Sequence, residues 1–267
     1  MFEILALAIA PAIFIAWYIY RKDSYEPEPL HLVLWVFILG ALSVIPAFIL
    51  EYPFESNIFT SAVIAPIVEE CVKFSVVFFI MYHHPEFDEP MDGIIYAAAA
   101  GLGFATIENI FYVLEGGVAV GIIRAIASVP GHVIFSCIWG FALGTAKFRP
   151  ASQRAGIIIT GLAGAILLHG IFNFSLEYFE VFGLLLILVV FIPLGWWITC
   201  RNIRSAHADP ASACSAMNRT VPRDTAITSA IISDTPPAGT KETLFCKNCG
   251  AHVREKVKFC ENCGKEL

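Results

Sequence analysis

The chain has 267 residues, of which 57% are hydrophobic and 15% charged, with a formal net charge of −6. A soluble domain carries about 25% charged residues, so a single water-soluble core is excluded, and the mild acidity offers no basic footprint for nucleic acid. The apolar residues come in long blocks, and about 20 apolar residues suffice to cross a bilayer as a helix. The expected fold class is an all-α polytopic membrane protein with about seven transmembrane helices, plus a small C-terminal zinc ribbon.

The first block, Phe2–Tyr20, has no basic residues before it and no A-x-A-like site after it, and Arg21 and Lys22 follow it. It reads as a retained helix, not a cleaved signal peptide. Further helices are predicted at 31–50, 58–82, 93–114, 119–146, 155–176 and 179–200. Glu108 and Arg124 blur the ends of the fourth and fifth. Pro46, Pro66, Pro130 and Pro193 fall inside blocks; each removes a backbone donor and is expected to kink its helix. Gly101, Gly103, Gly117, Gly121, Gly140 and Gly144 would let helices approach closely. The division expected is a membrane domain over 1–204, a flexible Ala/Ser/Thr/Pro-rich linker over 205–243 and a zinc ribbon over 244–267.

Orientation follows from basic residues in short loops. Arg21 and Lys22, then Lys147, Arg149 and Arg154, then Arg201 and Arg204 alternate with the loops 51–57, 115–118 and 177–178, which hold no Lys or Arg. This predicts a multi-pass cell-membrane protein with its N-terminus outside and its ribbon cytoplasmic. The loop 83–92 belongs to the cytoplasmic set but is acidic, so it is silent in this rule.

Charged groups at the bilayer centre cost about 2.5–3.5 kcal/mol each. Glu69, Glu70, Lys73, Glu108, Arg124, His132 and His169 all fall inside predicted spans. Facing lipid, they would cost on the order of 15–20 kcal/mol together, more than a domain's usual stability. Glu69 and Lys73, and likewise His169 and Asn173, are four apart and share a helix face. By position along their helices, Glu69, Glu108, His132 and His169 reach similar depths, between the midplane and the outer leaflet. The expectation is one polar cavity opening outward. Bland roles compete: an intrahelical Glu69–Lys73 pair, packing histidines, Asn109 and Asn173 as interhelical glue, and Arg124 snorkelling to the outer interface.

The strings that hold these residues resemble a known family. They are Glu69-Glu70-Cys71-Val72-Lys73, Asp92 to Ala98, Gly101 to Asn109, Gly131-His132 with Phe135-Ser136, and His169-Gly170-Ile171-Phe172-Asn173. Together they are similar to the PrsW family of intramembrane proteases, distant relatives of the CAAX prenyl-endopeptidases. The resemblance implies a bilayer-embedded peptidase with Glu69, Glu70, Glu108, His132, His169 and Asn173 as its catalytic set. It also implies first-site cleavage of an anti-sigma-factor-like, membrane-anchored protein on its outer side. The second motif ends in Glu108, where the prenyl-endopeptidase relatives have His, so the partner of the base is left open.

Peptide hydrolysis needs a water, a base and donors for the oxyanion. Glu69 is the expected base, with Glu70 or Glu108 orienting it, His132 assisting proton transfer, and His169 and Asn173 donating to the oxyanion. Lys73 and Asn109 support the set. A zinc version, with Glu69, His132 and His169 as ligands, is equally consistent with the residue types. No H-E-x-x-H, Gly-x-Gly-Asp or Gly-x-Ser-Gly string is present. The rival classes are an ion-coupled transporter, whose charges would line a pathway, and a non-catalytic scaffold. The expected partners are membrane lipids, a single-span protein substrate, a cytoplasmic partner of the ribbon, and no nucleic acid.

Cys246-x2-Cys249 and Cys260-x2-Cys263 enclose ten residues. Four thiolates at this spacing form a closed tetrahedral zinc site, and so short a segment depends on the metal to fold. Cys71, Cys137, Cys200 and Cys214 show no ligand spacing and read as packing residues.

Overall fold

The computed structural model describes residues 2–23, 26–212, 244–245 and 252–253. The cysteine knuckles and the predicted linker beyond Ser212 lie outside the described residues. Helices fill most of the described chain: α1 Phe2–Tyr20, α2 Leu30–Leu42, α3 Val44–Glu51, α4 Ala65–Ile80, α5 Pro90–Ile126, α6 Ser128–Lys147, α7 Ala151–Leu186 and α8 Ile192–His207. Helix α8 thus runs past Arg204, where the membrane domain was expected to end. Two short strands, β1 Leu244–Phe245 and β2 His252–Val253, pair antiparallel with Leu244 opposite Val253.

Each predicted proline kink takes a definite form. A proline ring clashes with the carbonyl four residues back. Pro46 accordingly splits α2 from α3 at Ser43, whose hydroxyl donates to the Gly40 carbonyl at 2.7 Å. Pro130 coincides with the break at Ala127 between α5 and α6. Pro66 and Pro193 each follow a widened π turn, Thr60–Ile64 and Ile187–Phe191, which moves the clashing carbonyl aside. The Ser61 carbonyl in the first of these turns accepts the Asn173 side-chain amide at 3.0 Å.

Two long helical stretches reverse direction. At Gly117, φ is 73° and ψ −168°, a region essentially reserved for glycine. Arg124 beyond this turn lies against Asn109 and Glu108 before it. In one straight helix, residues 108 and 124 would stand about 24 Å apart. Glu180, with φ 48°, is the positive-φ non-glycine residue among those described, and it reverses α7.

The stretches Leu30–Glu51, Pro90–Lys147 and Ala151–His207 are long and apolar enough to cross a membrane, and Ala6–Tyr20 is a shorter apolar helix. The described chain is therefore mostly helical, with three stretches that qualify by length and composition as membrane spans. Phe79, Phe182, Val189 and Phe48 are exposed on the outer surface of the bundle, as lipid-facing side chains are. The opening half of α5, Pro90–Thr106, is buried on all sides by α1, α2 and α6. Its contact with α6 is a small-residue seam in which Gly93 lies against the backbone of Gly140 and Gly144. Small residues of this kind let helix backbones touch where lipid supplies no hydrophobic drive.

At one end of the bundle, the acidic loop 83–92 is not idle. Asp92 Oδ2 accepts the Glu89 and Asp88 amides at 2.7 and 2.6 Å, closing the start of α5. Asp23 Oδ2 accepts the Glu28 amide, and the Glu28 carboxyl meets the Tyr96 hydroxyl and Asp92. Lys147 donates to the carbonyls of Tyr82 and Phe87, and Arg149 pairs with Asp209 at 2.7 Å. The loops after α1, α4 and α6 and the tail of α8 are thereby knitted together.

Candidate active site

Four helices and the arm after Gly117 bring the predicted polar residues into one cluster. Lys73 of α4 sits one turn below Glu69 and three residues after Glu70, so its ammonium reaches both: 3.2 Å to Glu69 Oε2 and 2.7 Å to Glu70 Oε1. Lys73 and Glu70 are fully buried, and Glu69 is 7% exposed. Buried charges of this kind survive only when paired and hydrogen-bonded.

The two glutamates are not equivalent. Glu70 Oε1 also accepts from His169 Nδ1 at 3.0 Å, and Oε2 accepts the Trp139 indole N–H at 3.0 Å. Three donors saturate this carboxylate. Among the described residues, Glu69 accepts a hydrogen bond from Lys73 alone, and His132 Nδ1 lies 3.9 Å from its Oε2. Glu69 is therefore the carboxylate free to meet a water.

The imidazoles are fixed from behind. His132 Nδ1 lies 3.2 Å from the Lys73 ammonium, which can only donate, so Nδ1 carries a lone pair. Its Nε2 then bears the proton and lies 2.7 Å from Glu108 Oε2. His169 donates from Nδ1 to Glu70, which leaves Nε2 bare. His169 stacks on Phe135 with centroids 4.6 Å apart, and the two imidazoles meet edge-on at 5.3 Å. The Lys73 ammonium also rests 4.3 Å over the Phe104 ring.

Glu69, His132 and His169 each offer a ligand atom within 4.8 Å of the others. Two imidazoles and a carboxylate are a catalytic zinc donor set. Each imidazole's other nitrogen is held by a carboxylate, Glu70 or Glu108, as metal-binding histidines require. The residues thus fit a zinc ion. Lys73, which touches two of the three ligands, would keep its shorter contact to Glu70.

Two predicted members stand apart. Asn109 is fully buried, and its Oδ1 accepts from Arg124 Nε at 2.7 Å. Asn173 is committed to the Ser61 carbonyl. Neither amide makes a hydrogen bond within the glutamate–histidine cluster among the described residues. Arg124, one of the charged groups expected to meet inside the bundle, contacts Glu108 at 2.9 Å. Sequence reading missed this pairing, as it missed Trp139 and Glu51. Glu51, at the end of α3, has a buried Oε1 without a hydrogen-bond partner among the described residues and is an electrostatic neighbour of Glu108 and Lys73. A charge at the edge of an apolar block was the available signal for both Glu51 and Arg124.

The imidazoles and carboxylates thus cluster inside an apolar helical bundle. Residues 28–198 match the profile described as PrsW family intramembrane metalloprotease, and residues 245–267 match a zinc-ribbon domain. The chain belongs to the PrsW family of intramembrane proteases. It is 38% identical over 212 residues to Protease PrsW of Geobacillus kaustophilus, covering 77% of this chain and 93% of the relative. The corresponding protein of Oceanobacillus iheyensis is 39% identical over 213 residues, 78% of this chain and 97% of the relative. Protease PrsW of Bacillus subtilis is 35% identical over 214 residues, with 78% and 97% covered. No solved structure matches the chain.

Proposed function

We propose that the Glu69–His132–His169 pocket hydrolyses a peptide bond of a single-span, membrane-anchored protein, of the anti-sigma-factor kind, in the outer half of the bilayer. The observation that carries this reading is the convergence of the three side chains, with both imidazoles braced by carboxylates. Glu69, less saturated than its neighbour Glu70, takes the proton from water. His132 passes that proton on to the leaving amine, and the bare Nε2 of His169 accepts from the attacking water and orients it. Glu70 and Glu108 orient the imidazoles, and Asn173 holds α7 against the turn before α4.

A second version is favoured by the donor set. Glu69, His132 and His169 would hold a zinc, which supplies Lewis acidity and a water of lowered pKa. Metal analysis of the full chain separates the two: about two zinc ions per chain support the metal version, falling to one in His169→Ala. About one, assigned to the ribbon cysteines, supports water activation by Glu69 alone.

The outward mouth and seven crossings form part of the same reading. Glu108 and Arg124 have side chains 19% and 14% exposed, whereas Glu70 and Lys73 are sealed, which supports access to the site from the side of the Gly117 turn. The basic loops gather at the opposite end, with Lys147 and Arg149 among the bonds that knit it. Counting the reversals at Gly117 and Glu180, the helical arms pass the bundle seven times. The N-terminus would lie outside, with the linker and ribbon cytoplasmic and the ribbon free to dock a partner. Membership of a protease family weighs against the transporter and scaffold alternatives. Loss of cleavage of a single-span substrate in Glu69→Gln, with folding intact, is the expected result; full cleavage by that variant would refute the proposal.

A further inference from the structure

Arg124 lies outside every motif that marks the family resemblance, yet it reaches the centre of the site. The reversal at Gly117 swings it back along the outer end of α5, where it spans three residues of one face. Its Nη2 is 2.9 Å from Glu108 Oε2, its Nε 2.7 Å from Asn109 Oδ1, and its guanidinium carbon 3.9 Å over the Tyr112 ring. A planar fork with several donors and a stacking face suits these three contacts at once, and an ammonium does not. The oxygen that Arg124 touches is the same Glu108 Oε2 that lies 2.7 Å from His132 Nε2.

We propose that Arg124 is a positioning residue for the reaction: by pairing with the Glu108 carboxylate and with Asn109, it fixes in place the carboxylate against which the His132 ring is set. The chain of contacts has one direction of consequence. Glu108 Oε2 lies 2.7 Å from His132 Nε2, and the Lys73 ammonium, which can only donate, lies 3.2 Å from Nδ1, so a carboxylate fixed by Arg124 holds the ring with Nδ1 turned towards Lys73 and Glu69. Without Arg124, Glu108 can rotate to its other neighbours, and the imidazole loses the partner that sets its orientation. The Gly117 reversal, remote from the chemistry in sequence, thereby becomes part of the site.

The proposal rests on the hydrolase reading above, and its test is separable from that reading. Full-length Arg124→Gln, Arg124→Lys and Glu108→Gln, and the double variant Arg124→Gln/Glu108→Gln, are reconstituted in vesicles with a single-span substrate. Arg124→Gln is expected to lower kcat by about 10–100-fold with KM unchanged, the range seen for groups that orient a working histidine. Arg124→Lys should recover part of this. The double variant should be no slower than Glu108→Gln alone, because both act through one contact. A second readout is the His132 Nε2–H resonance of histidine-labelled protein, identified by its disappearance in His132→Ala. It should lie downfield in wild type and move upfield in Arg124→Gln, whether or not the chain cleaves anything. An unmoved resonance, a loss confined to KM, or additive losses in the double variant would overturn the proposal. If Arg124→Gln does not fold, Arg124→Lys decides alone. An intermediate kcat and an intermediate resonance support the clamp, and wild-type values refute it. A fully active Glu69→Gln is a separate outcome, which removes Glu69 as the base, and cleavage by no variant and not by wild type removes the hydrolase reading; both leave the resonance test standing.

Discussion

Glu70→Gln and Glu69→Gln differ by one position, and the structure separates their consequences. Glu70 accepts Lys73 and His169 on Oε1 and Trp139 on Oε2. A glutamine offers one acceptor oxygen and one donor NH2, so in either orientation its NH2 faces a donor. Leaving a buried donor unpaired costs about 1–3 kcal/mol, and removing a partner from a buried ion pair about 3–5 kcal/mol. Lys73 keeps Glu69 at 3.2 Å, which offsets part of the second penalty. The net expectation for Glu70→Gln is about 3–5 kcal/mol, which lowers the melting temperature by about 10 °C or more for a domain of this size. Glu69→Gln keeps its bond to Lys73 through the amide oxygen and should lose about 1–2 kcal/mol, the worth of one charge-assisted bond weakened. Thermal melts of the purified proteins in detergent, followed by tryptophan fluorescence, give the comparison. At least twice the shift in Glu70→Gln is expected. Equal shifts, or a larger one in Glu69→Gln, would refute the assignment of Glu70 as the saturated, orienting carboxylate.

Other outcomes are expected elsewhere in the molecule. Burial raises Asp23 to about 6, Glu28 to about 7 and Glu89 to about 8. These groups hold protons in the folded state that the unfolded chain releases near pH 4. Their contribution to stability is complete below that pH and fades as pH rises through 6 to 8, so the melting temperature should be higher at pH 5.5 than at 8.5, and Glu89→Gln should flatten the difference. Gly117→Ala should cost about 1–3 kcal/mol from backbone strain, although nothing lies within 4 Å of the added methyl; an unchanged melting temperature would argue against the reversal there. Gly140→Leu should prevent assembly altogether, because a side chain there meets Ala97 and the Gly93 backbone; recovery of folded protein at wild-type yield from the membrane fraction would count against the α5–α6 seam.

The apolar blocks announced the helices, and the cost of bare charge in lipid announced that Glu69, Glu70, Lys73, His132 and His169 must meet. Both are one-dimensional properties and can be read along the chain. Partner choice is not such a property. Whether Glu70 takes Trp139, or Arg124 takes Glu108, depends on how neighbouring helices are rotated, and that depends on contacts such as Gly93 against Gly140 and Gly144. The prolines gave the positions of the kinks but not their form: π turns precede Pro66 and Pro193, while Pro46 and Pro130 follow breaks between helices. The loop 83–92 carries no basic residues and was silent for orientation, yet it meets Asp23 and Glu28 from a distant loop. Asn173, grouped with His169 by spacing, was drawn off by a carbonyl that the π turn exposes.

His132 and His169 either serve one reaction centre or act separately. Cleavage of a single-span substrate by the reconstituted full-length chain, measured for wild type, His132→Ala, His169→Ala and the double variant, addresses this. The expected result is a loss of about 100-fold or more in each single variant and no further loss in the double, because residues acting as a unit are not additive. Independent, multiplying losses, or a folded single variant that cleaves at the wild-type rate, would contradict it.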